Sequence, residues 1–470
     1  MRFLQALCIL GLLSLSTATH AADGRPPNVV FILIDDMGWT DLGVQGSDLY
    51  ETPNIDRLAK QGMRFTNAYS ACTVCSPTRA AVMTGRYPAR LHITDWIHGA
   101  HAPKAKLAIP DWTQHLPLEE TTIAEVLRAR GYATAAIGKW HLGDEPEYFP
   151  DRQGFDLNLA GCGRGQPPSY FSPYGIETLK DGPKGEYLTD RLTDEACNFI
   201  SSHREQPFLL YMPHYCVHTP LQAKAADVDH FKAKTSAALR HQNAIYAAMI
   251  KSLDESVGRI LSTLEETGQA DRTIVFFTSD NGGLLRSTSN VPLRVGKGSS
   301  YEGGVRVPLF VRWPGVTQPG STCSEPVISV DYFPTIAEMT GAASSPATTI
   351  DGTSIVPVLR DSKARLARES IYWHYPHYHQ GGATPYGAVR VRDWKLIEFY
   401  EDQHVELYNL ANDLSETHDL AQQMPEKATE LRTRLASWRK EVGAQMPTPN
   451  PNYDPNAPLF PPRKPKRAAP

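Results

Sequence analysis

The run Val29-Val30-Phe31-Ile32-Leu33-Ile34-Asp35-Asp36 decides the fold. Six consecutive apolar residues, four of them β-branched, end abruptly in two carboxylates. A strand with one wet face alternates apolar and polar residues; this one does not. A continuous run of this kind suits a parallel sheet covered on both faces by helices. Reading outward, residues 132–137, 208–212 and 273–278 repeat the pattern, and 307–313 adds a further strand. Helical signals lie between them. Residues 52–62 read as a short helix capped by Gly62, and Thr122 with Glu125 forms a capping box for a helix ending near Gly131. Residues 189–202 read as another helix. Ile245, Met249, Leu253, Val257, Ile260, Leu261 and Leu264 make a 3.6-period stripe closed by Gly268. The alternation predicts an α/β fold, a large domain whose mainly parallel central sheet is flanked by helices.

The polar residues collect at one place in this pattern. Four strands end, on their C-terminal side, in ionisable or metal-binding groups: Asp35-Asp36, Gly138-Lys139-Trp140-His141-Leu142-Gly143, Pro213-His214-Tyr215-Cys216-Val217-His218-Thr219-Pro220, and Ser279-Asp280-Asn281-Gly282-Gly283. In open α/β sheets that edge is where sites assemble. Taken singly, an Asp pair reads as a loop feature, Asp280-Asn281 as a turn, and a lone His or Lys as surface. Together, Asp35, Asp36, Asp280 and Asn281 supply hard oxygen ligands. Such donors suit Ca²⁺ or Mg²⁺ rather than zinc, which prefers His and Cys.

The stretch Cys75-Ser76-Pro77-Thr78-Arg79-Ala80-Ala81-Val82-Met83-Thr84-Gly85-Arg86 stands apart from the strands. Pro77 fits a first helical turn and Gly85 reads as a stop. Cys75 therefore lies at or just before a helix N-terminus, where free N–H groups and the helix dipole favour negative charge. Arg79 falls one turn along on the same face. On these features alone, an ordinary helix start with a buried cysteine is an equally good reading.

The pattern Cys-x-Pro-Thr-Arg followed by Ala-Ala-x-x-Thr-Gly-Arg resembles the signature of the formylglycine-dependent sulfatases, of the alkaline-phosphatase-like superfamily. Gly-Lys-Trp-His-Leu-Gly, His-Thr-Pro at His218, and Gly-Lys-Gly-Ser-Ser-Tyr-Glu-Gly-Gly-Val-Arg-Val-Pro at Lys297 are similar to further motifs of that family, in the family's order. The resemblance runs from Asn28 to about Pro314 and, more loosely, to Ala421. It implies that Cys75 is converted by a maturation enzyme to 3-oxoalanine (formylglycine), whose hydrate is the nucleophile. It implies one Ca²⁺ held by Asp35, Asp36, Asp280, Asn281 and the converted Cys75. It implies Arg79, Lys139, His141, His218 and Lys297 as the other catalytic residues. The activity implied is hydrolysis of sulfate esters.

Trp373, His374, Tyr375, His377, Tyr378 and His379 form a dense aromatic and imidazole run. Such side chains stack on sugar rings and bond hydroxyls or sulfates, and equally fill a strand-to-loop junction. His374, His377 and His379 are thus candidate substrate residues for a sulfated carbohydrate, with aryl sulfates as surrogates. A broad arylsulfatase, a phosphomonoester or phosphonate hydrolase of the same superfamily, and a non-catalytic sugar-binding protein are the competing readings.

The chain of 470 residues suffices for a large domain and a smaller one. A formal net charge of −4 gives no reason to expect nucleic acid. Residues 1–22, with Arg2, the apolar run 3–15 and Thr19-His20-Ala21, read as a signal peptide and predict an exported, periplasmic or secreted protein, bacterial in character. No later segment is apolar enough to span a membrane. Seven cysteines are encoded, one of them in the signal segment, and no pairing is assigned. The catalytic domain is expected over 23–360. Short strands and the amphipathic stretch 425–442 predict a C-terminal subdomain over 361–444, with a small antiparallel sheet and a helix. A Pro-rich tail spans 445–470.

Overall fold

The computed structural model describes residues 25–342 and 349–461. The expected signal segment and the basic cluster at the C-terminus lie outside the described residues. Eight strands form the large sheet: β1 (Asn28–Ile34), β2 (Met63–Phe65), β3 (Ala133–Ile137), β4 (Leu157–Leu159), β5 (Phe208–Pro213), β6 (Thr273–Ser279), β7 (Leu309–Arg312) and β8 (Ser321–Cys323). They lie in the order β8-β2-β7-β6-β1-β5-β3-β4. The centre is parallel, β1 pairing with both β5 and β6, and β5 with β3. β7 alone runs antiparallel, against β6 and β2.

β1 shows why the apolar run had to be continuous. Val30, Ile32 and Ile34 point into one core with Leu192, Leu253 and Val257, from the helices Leu188–Ser202 and Ala244–Glu266. Val29, Phe31 and Leu33 point into the other, with Ala80, Val82, Leu127 and Ile336 from the helices of the opposite face. Every residue of β1 is buried. The long helix follows the expected stripe from Met249 on; Ile245 itself is exposed and Tyr246 takes the buried place. The helix Ala225–Lys234 buries only Phe231, so no apolar period announces it in the sequence.

The register pairs Leu33 with Pro213 and Ile34 with Ser279. The chain therefore leaves β1, β5 and β6 at one height, and their following loops meet above the same sheet edge. That edge is where the sequence concentrates its ionisable groups.

Four more strands, β9 (Ser370–Tyr375), β10 (Tyr386–Val391), β11 (Trp394–Phe399) and β12 (Val405–Asn409), form an antiparallel sheet in sequential order. The helix Pro425–Glu441 packs Leu431 and Leu435 into it. The sheet also docks against the segment before Cys75: the Trp373 indole donates to the Ser70 carbonyl at 2.8 Å, and Tyr69 stacks edge-on against Trp373. The tail crosses back, Thr448–Pro449 pairing with Leu107–Ala108. No helix among the described residues is long and apolar enough to cross a membrane.

A buried ionic cluster ties the small sheet to the Lys297 loop. The Lys395 ammonium, fully buried on β11, lies 2.9 Å from Glu302 and 2.8 Å from Glu416. The Glu302 N–H donates to Glu416 at 2.6 Å, and Arg306 holds the other Glu302 oxygen at 2.7 Å. Burial pushes the Glu416 carboxyl up to about 7. Removing the shared cation leaves two buried carboxylates side by side. Lys395→Met is therefore expected to destabilise the fold by about 3–5 kcal/mol, read as a lowered midpoint of chemical unfolding. A midpoint equal to wild type would show that the cluster does not hold the two sheets together.

Candidate active site

Consecutive strand residues point to opposite faces, so Asp35 and Asp36 would diverge if β1 simply continued. Asp36 instead adopts φ 63°, a left-handed conformation that Asp tolerates, and both carboxylates reach one site. The Asp36 N–H donates to Asp280 at 3.2 Å, which ties the end of β1 to the end of β6. Asp280 itself is held by Arg79, whose Nε and Nη2 reach one carboxylate oxygen at 3.0 and 2.7 Å. Arg79 also donates to the Lys139 carbonyl at 3.0 Å. The Lys139 ammonium lies 2.7 Å from Asp35, and that of Lys297 lies 2.6 Å from Asp36.

Cys75 is the first residue of the helix Cys75–Thr84, as the proline and glycine signals predict; Gly85 closes it at φ 69°. The Thr78 hydroxyl accepts from the Cys72 N–H at 3.1 Å and so pins the loop ahead of the helix. Cys75 is 2% exposed, and its Sγ lies 3.3 Å from Lys297 Nζ. Burial pushes the thiol up to about 12, although Lys139 and Lys297 pull the other way. A free thiolate is therefore disfavoured here.

The same balance sets the other groups. Burial holds the Asp35 carboxyl up, at about 7, against the pull of Lys139. Burial also opposes ionisation of Asp36, but Lys297 and His218 outweigh it and hold that carboxyl well below the usual range. Lys297 stays charged: burial works against it, and Asp36 more than compensates. Burial takes His218 down to about 3, with Asp36 at 3.6 Å acting in the opposite sense.

His141 stands at φ 59° after β3, its Nε2 2.6 Å from the Ile97 carbonyl. A carbonyl only accepts, so Nε2 carries the proton and Nδ1 is bare. Nδ1 is buried without a partner. Burial, then Lys139, holds the protonated form of His141 well below its usual range. The Ile97 segment is shaped by Asp95, which sequence reasoning missed. The buried Asp95 carboxylate accepts from Tyr375 at 2.8 Å and from the Trp96 and Ala100 N–H groups at 2.9 and 3.2 Å. No local signal marks it in the sequence: Gly99 stands four residues on, and the partner Tyr375 lies 280 residues away.

The donor set fits a hard divalent cation. One oxygen each of Asp35, Asp36 and Asn281 is buried with no hydrogen-bond donor. Ligand atoms of Asp35, Asp36, Cys75 and His218 lie within 4.8 Å of one another. These orphaned oxygens, with the Asn281 amide bonded to Asp36 at 2.8 Å, match Ca²⁺ or Mg²⁺ chemistry better than that of zinc. A cavity of about 950 Å³ opens above, lined by Asp36, Cys75, His141, His218 and Lys297 among others.

A model of the family described as Sulfatase matches residues 27–342, and one described as N-sulphoglucosamine sulphohydrolase, C-terminal, matches residues 296–441. The chain belongs to the sulfatase family. It is 34% identical to a sulfatase of Formosa agariphila over 505 aligned positions, which cover 90% of each chain. It is 35% identical to the N-acetylgalactosamine-6-sulfatase of Mus musculus, over 85% of this chain and 77% of that one. Among solved structures, Ps i-CgsB in complex with k-i-k-neocarrahexaose superposes with a TM-score of 0.76 at 32% identity, covering 91% of this chain and 95% of that one. As a sulfatase the chain is a sulfuric ester hydrolase, and its mixed α/β architecture is that of its structural neighbours.

The sulfatase cavity does not gather all three histidines expected at a sugar subsite. His379 borders it, packed on Gly298, where φ is 83° and a Cβ would stand 1.8 Å from the His379 ring. His374 lies on β9 and donates from Nε2 to the Gln445 carbonyl at 2.9 Å, facing the tail. His377 meets the Thr94 hydroxyl at 2.7 Å and the edge of Trp112, away from the cavity. Both are inside the junction between small sheet and loop, which is the packing alternative that such a run always allows. The cavity adds residues the sequence did not single out: Trp96, His98, Asp144, Arg164 and Arg286.

The geometry fixes the state of one imidazole. Nitrogen NMR of histidine-labelled protein, with His141→Gln for assignment, is expected to show His141 neutral and protonated at Nε2 throughout pH 5–8. A His141 that gains a second proton within that range would contradict the contact with Ile97.

Proposed function

We propose that this sulfatase is an exported enzyme that removes sulfate from sulfated carbohydrates. On this reading Cys75 is oxidised by a maturation enzyme to formylglycine, whose hydrate supplies an oxygen nucleophile and a second hydroxyl. The observation that carries the proposal is the surroundings of Cys75. The side chain at the helix start is too buried to act as a thiolate, yet it stands 3.3 Å from Lys297 and in one cluster with Asp35, Asp36 and His218. In this structure the Cys75 sulfur stands in for the nucleophilic oxygen.

Asp35, Asp36, Asp280 and Asn281 would hold Ca²⁺, with position 75 facing it. When bound, the ion polarises sulfate oxygens and neutralises charge as the S–O bond breaks. The chain's own residues do the rest. Arg79 and Lys139 fix Asp280 and Asp35 and hold the nucleophile's side of the site. Asp280 helps to take up the nucleophile's proton. Lys297, kept cationic by Asp36, stabilises the departing alkoxide. His218, neutral in the free site, gains proton affinity when a sulfate anion sits beside it, and so can protonate the leaving oxygen. His141, proton-free at Nδ1, takes the proton of the second hydroxyl, so that sulfate leaves and the aldehyde returns. A serine at position 75 would lack that second hydroxyl.

The arrangement of elements supports a catalytic domain over 23–360, a C-terminal subdomain over 361–444 and a tail from 445; the reading of residues 1–22 as the export signal rests on their sequence alone. The similarity to carbohydrate-directed sulfatases supports a sugar as the substrate.

Mass analysis of the peptide around position 75 from active protein is expected to show a mass lower than encoded, by the thiol-to-aldehyde difference, and reaction with hydrazides. Cys75→Ala is expected to fold and to lose activity by a factor on the order of 10⁶. Chelation is expected to abolish activity and Ca²⁺ to restore it, with calorimetry showing one ion bound per chain. Fully active protein with an intact thiol at position 75 would overturn the mechanism, and full activity without metal would overturn the Ca²⁺ site. Paired aryl sulfate and aryl phosphate substrates test the choice of ester.

A further inference from the structure

The cavity above Cys75, at about 950 Å³, is at the upper end of the roughly 300–1,000 Å³ usual for small-molecule sites. It has room for more than the group that reaches position 75. Other polar groups of its wall already have partners: Lys297 faces Asp36 at 2.6 Å, and His98 faces Asp144 at 2.6 Å. Arg164 and Arg286 differ. Both are exposed on the cavity wall, and neither has a carboxylate within ion-pair distance among the described residues.

The two arginines hang from opposite flanks of the site. Arg164 belongs to the long connection after β3 and β4, and Arg286 to the loop after β6; in the sheet these strands lie on either side of β1. Both backbones are fixed. The Cys162 carbonyl accepts the His141 N–H at 3.0 Å, and Gly165 lies so close to the His141 ring that a Cβ would stand 2.7 Å from Cε1. Arg164 is held between those two contacts. Arg286 sits in a turn closed by the Ser287 and Thr288 N–H groups on the Leu284 carbonyl, at 2.8 and 3.0 Å. The Thr288 hydroxyl is anchored in turn to the buried Asp41 at 2.7 Å. Glu177 also lines the cavity and offsets part of the charge on the Arg164 side, which leaves Arg286 the less compensated.

A guanidinium on a fixed backbone, with free donors turned to a substrate cavity, suits bidentate capture of a sulfate or carboxylate. We propose that Arg286, with Arg164 opposite, forms a subsite for a second anionic group. The substrate is then a saccharide that carries a further sulfate or carboxylate beside the ester being cut. The proposal rests on the carbohydrate sulfatase reading and narrows it to polyanionic sugars.

Two defined disaccharides test it, one with a single sulfate and the same sugar with an additional sulfate on the neighbouring ring. Sulfate release by matured wild-type enzyme is expected to give a kcat/KM about tenfold higher for the disulfated sugar, as charged hydrogen bonds allow. The preference should shrink as ionic strength rises. Arg286→Ala should remove most of it, and Arg286→Lys should retain part. Equal kcat/KM for the two sugars in wild type, or a preference unchanged in Arg286→Ala, overturns the subsite. Turnover of an aryl sulfate with neither sugar hydrolysed overturns instead the carbohydrate reading beneath it.

Discussion

The rest of the structure depends on a buried balance of charge at the end of β1. Asp35, Asp36 and Asp280 place three carboxylates out of contact with solvent, and Arg79, Lys139 and Lys297 place three cations against them. Neither set is tolerable alone, since an unpaired buried charge costs several kcal/mol. Each cation comes from a different segment: Arg79 from the Cys75 helix, Lys139 from the end of β3, Lys297 from the long loop before β7. Pairing the charges therefore draws three distant segments to one point. The pairing is incomplete in a specific way, because oxygens of Asp35, Asp36 and Asn281 are left without donors. A divalent cation would satisfy those oxygens and tip a neutral cluster positive, which matches an anionic sulfate.

The surrounding architecture keeps that point fixed. Parallel strands in level register deliver their loops to one edge. The small sheet then braces two segments that lie outside the large sheet. Trp373 holds the chain at Ser70 ahead of Cys75, and Lys395 holds Glu302, five residues after Lys297. Beyond the His379 turn at the cavity wall, the C-terminal part of the chain thus acts on the chemistry indirectly, by fixing the backbones from which Cys75 and Lys297 project.

Much of this was legible in the sequence because it is written in side chains. The unbroken run of β1 announced a doubly covered parallel strand, and the carboxylates, lysines and histidines at strand ends announced the edge. Proline, Gly85 and the position of Cys75 announced the helix start. Three features were not legible, each for a physical reason. The acceptor that sets the His141 tautomer is the Ile97 carbonyl, and main-chain groups leave no mark in sequence. His374 and His377 sit in a run that is chemically apt for sugar binding, yet strand pairing and the tail decide which way they face. Arg164 and Arg286 lie in irregular loops with no period, where only the folded chain shows that both reach the same cavity. The kink at Asp36 belongs to the same class: the sequence supplies two adjacent aspartates, and only φ at Asp36 says that they share a site.

The burial of Cys75 constrains the order of events on the proposed reading. Its side chain is 2% exposed, at the foot of a cavity, with Lys297 against the sulfur. The segment on either side is closed as well: every residue from Tyr69 to Gly85 is buried. The Thr78 hydroxyl bonds back to Cys72, and the Ser76 hydroxyl accepts from the Ile97 N–H at 3.1 Å. The cavity admits a small group to position 75, but the backbone on either side is closed to a second protein. Opening this helix would expose the charge cluster that organises the whole edge. On the proposed reading, oxidation by a maturation enzyme is therefore expected before the fold closes. The same packing that makes the thiol inert in the finished protein then seals its converted form among the cations and carboxylates that use it.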